Sequence, residues 1–106
     1  MDEIEKELQR SVDAQRLSQE GKVRVSARRA AGLAITEYQK REGAAWYGND
    51  FIQQLRAFAF DPTIPLHVRE AAYRLQSRLS RDFRSISHDP VSDAKLIIEY
   101  IRQVLR

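Results

Sequence analysis

Two histidines and a run of arginines are the residues of this chain best suited to chemistry. His88 precedes Asp89-Pro90, a capping residue followed by a first-turn proline. A helix N-terminus disfavours imidazolium, so His88 is expected to be a neutral imidazole able to take a proton. The plain alternative is a polar loop residue. His67 follows Pro65-Leu66 and reads as an exposed helix-start histidine. Upstream of His88, Arg74, Arg78, Arg81 and Arg84 fall within about a 120° arc of one helix face. Guanidinium groups so placed would grip a phosphate backbone and give salt-dependent binding. Arg24, Arg28 and Arg29 form a second basic cluster. The competing reading is that an amphipathic helix needs a polar face and arginine is a good helix former.

Other chemistries lack their residues. With no cysteine, disulfides, thiolate nucleophiles and Cys-ligated zinc are excluded. The two histidines stand 21 positions apart with no His-x-x-x-His or Glu-x-x-His pair, so no metal site is expected. The glycine-rich phosphate loop, the Gly-x-Ser-x-Gly elbow and HExxH are all missing. Glu3 and Glu7, like Asp89 and Asp93, are four apart, and solvated surface accounts for both pairs most simply.

The 106 residues, 42% hydrophobic and 31% charged, suit one globular domain spanning 1–106. The net charge of +3 is uneven: residues 1–20 carry −3 and residues 21–41 carry +5. The 14 arginines against 4 lysines suit bidentate oxyanion recognition, although genome base composition gives the same bias. The acidic, amphipathic start is unlike a secretory signal, and no apolar run is long enough to span a bilayer. A soluble cytoplasmic protein without cofactors, metal or membrane attachment is expected.

Apolar residues step by three and four throughout, which predicts an all-α fold. The first helix is expected over about Asp2–Gln19, ended by Gly21. The second, Lys22–Arg41, carries Val23, Ala27, Ala30, Ala31, Ala34, Ile35 and Tyr38, and its small residues mark a central helix with Gly32 at a tight crossing. Gly43 closes it, and 44–48 is a connector. A third, shorter helix is capped by Asn49 or Asp50 and stops before Asp61-Pro62. The fourth starts at Pro65 and follows Val68, Ala72, Leu75, Leu79, Phe83 and Ile86 to about Ile86. The fifth begins at Asp89-Pro90 and runs to the end. The expected architecture is an up-and-down antiparallel bundle of four main helices plus one shorter helix. Trp46, Tyr47 and Phe60 sit in or beside connectors, where aromatic rings are expected to stay partly exposed.

Val23-Arg-Val-Ser-Ala-Arg-Arg-Ala-Ala-Gly-Leu-Ala-Ile35 resembles the second helix of HEPN domains, and Asp93-Ala-Lys-Leu-Ile-Ile-Glu-Tyr-Ile101 is similar to their closing helix. The resemblance covers most of the chain in helix order and length. It implies a homodimer and a metal-independent RNase motif of arginine, polar residue and histidine. Six residues separate Arg81 from His88, with Asp82 in the polar place. On that resemblance Arg81 would stabilise the phosphate oxyanion, His88 would act as general acid or base on the ribose 2′-hydroxyl, and Asp82 would position them. Arg28, Arg74, Arg78 and Arg84 are the expected nucleic-acid contacts. The leading expectation is a HEPN-like module acting by self-association and by contact with RNA or a partner protein, with catalysis not established. The alternatives are the metal-independent RNase and a purely structural interaction domain.

Overall fold

The computed structural model describes residues 2–41, 43–77 and 88–106. They form five α-helices, and no strand occurs among the described residues. Helix α1 spans Glu3–Arg16, with the Asp2 carboxylate accepting from the Glu5 amide at 2.8 Å and Glu3 and Glu5 in the positive first turn. It buries Ile4, Glu7, Ser11 and Ala14 at helical spacing. Helix α2 spans Glu20–Gln39, so the turn comes earlier than expected. Ser18, at φ +55°, reverses the chain, with its amide donating to the Gln15 carbonyl at 3.1 Å and the Gln19 amide to Ala14 at 2.9 Å. That pair of backward bonds satisfies the last carbonyls of α1. Gly21, expected to end α1, lies instead within the first turn of α2.

Helix α2 is the hub: α1, α3 and α5 all pack on it. Its Ala27, Ala30, Ala31 and Ala34 are fully or almost fully buried, and these small side chains let the neighbouring helices come close. At Gly32 the approach is closest, since a Cβ there would lie 2.3 Å from Phe51 Cδ1. Past α2, Gly43 turns at φ +78° and residues 44–48 cross to α3.

Helix α3 spans Phe51–Ala59, capped by Asp50 on the Gln53 amide at 2.8 Å. The connector before it is pinned by side-chain amides. Gln39 donates to the Gly48 carbonyl at 2.9 Å and accepts from the Tyr47 amide at 3.0 Å. Gln54 donates to Gly48 at 3.1 Å and to Thr36 Oγ1 at 2.9 Å. Tyr47 therefore points inward, at 5% exposure, contrary to the expectation for this connector aromatic. Its ring meets Phe58 and Tyr38 at centroid distances of 5.4 and 6.1 Å, and its hydroxyl donates to Asp61.

Helix α4 spans Leu66–Gln76, with Pro65 at the N-cap. Its end corrects the expected run to Ile86. Ser77 is extended (ψ 140°), and the carbonyls of Leu75 and Ser77, which a continuing helix would use, accept from Arg28 instead. Helix α5 spans Pro90–Val104, with Asp89 capping the Ser92 amide at 3.1 Å and Pro90 in the first turn. Val91, Ala94, Ile97, Ile98 and Ile101 line its buried face. Helix α4 packs between α3 and α5. The Cα radius of gyration, 13.0 Å, is that of a compact chain of this length.

Candidate functional site

Three arginines from three helices meet the end of α4. Arg28 of α2 brings its Nε to the Leu75 carbonyl and its Nη2 to the Ser77 carbonyl at 2.8 Å. Arg56 of α3 donates to Gln76 Oε1 at 3.3 Å. Arg74 forks onto Asp93 of α5, with Nη2–Oδ1 at 2.7 Å and Nε–Oδ2 at 3.2 Å. A guanidinium suits a helix C-terminus, where carbonyl oxygens concentrate negative charge. Burial holds Arg28 below the ordinary arginine range, with Arg24 adding repulsion. The bonds to Asp93 hold Arg74 above it, against the opposing effect of burial.

Asp93 is buried, although its spacing from Asp89 suggested a solvated pair. Glu7 is buried too, with Arg10 Nη1 on its Oε1 at 2.7 Å, so the reading of Glu3 and Glu7 as a solvated pair is corrected in the same way. A signal was present: Asp93 is four before Ile97 on the inner stripe of α5, and Glu7 lies between Ile4 and Ser11 on that of α1. Asp89 behaves differently. It stays exposed, and bonds from the Ser92 hydroxyl and amide hold its carboxyl below the usual carboxylate range.

His88 is exposed immediately before the Asp89 cap. Arg28 and Arg74 come together at the end of α4, with their guanidinium groups engaged within the protein. Arg78, Arg81, Asp82 and Arg84 lie outside the described residues. His67 is exposed in the first turn of α4. Among the described residues no group of three or more His, Asp or Glu side chains is placed to hold a metal ion. No helix there is long and apolar enough to cross a membrane.

A second feature was foreseen only in part: the exposure of Phe60 and Trp46 was expected, and that of Leu66 and Tyr73 was not. Phe60, Leu66 and Tyr73 are 69%, 60% and 51% exposed around the α3–α4 corner. A groove of about 280 Å³ opens there, lined by Ala59, Leu66, Arg69, Glu70, Tyr73 and Arg74. The signal was the spacing of Leu66 and Tyr73, seven apart and on the opposite side of the helix from Val68, Ala72 and Leu75. Trp46, in the 44–48 connector, is 66% exposed.

A scan against family models and searches of curated proteins and solved structures find no match to this chain. The functional reading therefore stands on these two features.

Proposed function

We propose that the chain is a small helical interaction module that works by self-association, with contact to RNA or a partner protein as its output. The HEPN-like order, four main helices plus one shorter, belongs to this reading. The observation that carries it is the contrast between the two features of the surface. Leu66 and Tyr73 stand exposed on one groove that reaches Ala59, and Phe60, the next residue along the chain, is exposed as well. Arg28 and Arg74 are instead held by backbone carbonyls and a buried carboxylate. Contiguous apolar exposure marks interaction surfaces, and aromatic residues are enriched at interface cores. Sedimentation over a wide concentration range tests it. A mass rising above 12.3 kDa with concentration is expected, and a 12.3 kDa species throughout would overturn it.

A second reading, metal-independent RNA cleavage, is favoured by the exposure of His88. In it His88 moves the proton of a 2′-hydroxyl, Arg81 steadies charge at phosphorus and Asp82 positions them. General acid–base work contributes roughly 10²–10⁴-fold, and an oxyanion donor about 10²–10³-fold. RNA degradation in the presence of a chelator, lost in both His88→Ala and Arg81→Ala with the helical spectrum intact, is its expected outcome. Cleavage that survives His88→Ala would end that assignment.

A further inference from the structure

A groove of about 400 Å³ runs between α1 and α2 beside the turn that joins them. Its α1 wall is Arg10, Asp13, Ala14 and Leu17, at i, i+3, i+4 and i+7. Its α2 wall is Lys22, Val25 and Ser26, and Arg29 continues that face by one turn. The floor is aliphatic and open. Leu17 and Val25 are 69% and 48% exposed, and a Cβ at Gly21 would meet nothing within 4 Å.

Charge decides what this groove takes. Lys22 and Arg29 are exposed, and their side chains enter no hydrogen bond or ion pair among the described residues. Arg10 bonds Glu7 through Nη1, yet its side chain stays 65% exposed. Asp13 already accepts from Gln9 Nε2 at 2.9 Å. Lys22 also stands in the first turn of α2, which no side chain caps, and a cation at that positive end is destabilising. Cations held in an unfavourable place without a carboxylate of their own are complementary to anions on another molecule. A second copy of the chain does not bring them. Among the described residues, the exposed apolar side chains of α4, Leu66 and Tyr73, stand beside Arg69 and Arg74 as well as Glu70. Nor does the groove suit RNA bases, since no aromatic residue lines it to stack on them.

We infer that the α1–α2 groove is the docking site for an acidic amphipathic helix of a partner protein. The aliphatic face of that helix lies on Leu17 and Val25, and its flanking carboxylates meet Lys22 and Arg29. This rests on the partner-contact part of the proposed function and names its surface, and it needs no self-association. From Lys22 to Arg29 the wall is about 10 Å long at 1.5 Å per residue, so the groove seats about two turns and the contact is a transient one.

Fluorescence anisotropy of a labelled peptide titrated with the full chain tests it. The probe is a helical peptide of about 15 residues with leucines on one face and glutamates on both flanks. Saturable binding is expected, weakened about tenfold by Lys22→Glu and by Arg29→Glu. Gly21→Leu, which fills the open floor, should abolish it. Lys22→Glu suits the first turn of a helix better than wild type, so its binding loss should come with an unchanged or higher thermal midpoint. A peptide with lysines in place of the glutamates should bind wild type about tenfold more weakly and prefer the double variant Lys22→Glu/Arg29→Glu. No binding of the acidic peptide, equal binding of both peptides, or binding unchanged in all the single variants overturns the inference. So does a uridine homopolymer or a phosphatidylserine vesicle that binds in place of the acidic peptide and is lost in the same variants. Sedimentation of the wild type reads self-association separately. A dimer that ignores the peptide ends this inference alone, and a monomer that binds it ends the self-association reading alone.

Discussion

Two glycines of α2 differ in what surrounds them, and the same substitution should have opposite signs at the two sites. A Cβ at Gly21 meets nothing within 4 Å. Gly21→Ala removes backbone freedom from the unfolded chain without strain and is expected to add about 0.4–1 kcal/mol of stability. At Gly32 the same methyl group would lie 2.8 Å from Phe51 Cβ as well as against its ring, so the start of α3 must shift. Gly32→Ala is expected to be destabilising by about 1–3 kcal/mol. Chemical denaturation of both variants checks the pair. If Gly32→Ala is neutral, the α2–α3 crossing is looser than described. Ser18 completes the contrast, because it occupies the left-handed conformation that glycine adopts without steric penalty. The residue built for the turn stands three positions further on, inside the helix.

Helix starts were legible in the sequence, and helix ends much less so, for a physical reason. Asp50 and Asp89 cap the helices that follow them with their own side chains, so residue type and position carry the whole signal. The end of α4 is set by Arg28, which is 47 and 49 positions from its acceptors, while Leu79, Phe83 and Ile86 continue the apolar spacing past the break. No local pattern contains that information. The same holds at the candidate site. Arg28, Arg74 and His88 could be named from sequence, but the carbonyls and the Asp93 carboxylate that engage the two arginines come from other elements. Arg28→Ala would leave the Leu75 and Ser77 carbonyls without that donor and is expected to be destabilising by about 1–3 kcal/mol. Arg28→Lys should recover only part, since an ammonium lacks the planar fork. Equal stability of Arg28→Ala and wild type in urea would show that the cap contributes nothing. In the 44–48 connector, Gln39→Leu removes the acceptor of the Tyr47 amide, while Gly48 keeps its bond from Gln54. A loss of about 1–3 kcal/mol is expected for that one stranded group. Thermal unfolding of Gln39→Leu at the wild-type midpoint would show that the connector is held by other contacts.

At the scale of the whole molecule, the Tyr47–Asp61 bond joins the 44–48 connector to the α3–α4 corner and gives folding stability two pH limbs. Burial alone would raise the Asp61 carboxyl. Bonds from the Tyr47 hydroxyl and from Thr63 outweigh it and hold the group below its ordinary range. Asp89 is held low as well. An unfolded aspartate titrates near about 3.9. Above that value the full contribution of both carboxylates is present. As pH falls through their lower native values it is lost, because the unfolded chain binds protons first. The tyrosine has the reverse sense. Burial, then the bond to Asp61, pushes the Tyr47 hydroxyl far above its ordinary range. An unfolded tyrosine ionises near about 10, so above that pH the unfolded chain loses protons that the native state keeps, and stability falls again. Tyr47→Phe keeps the packed ring and removes the hydroxyl. It should flatten the alkaline limb, leaving the smaller part due to Tyr100, which burial also raises. It should also shrink the acid limb, since Asp61 loses the bond that does most to hold it low. The thermal midpoint of the two proteins, followed across both limbs, decides the matter. Parallel curves displaced by a constant amount would mean that the hydroxyl contributes to packing alone and that the Tyr47–Asp61 bond has no part in the pH response.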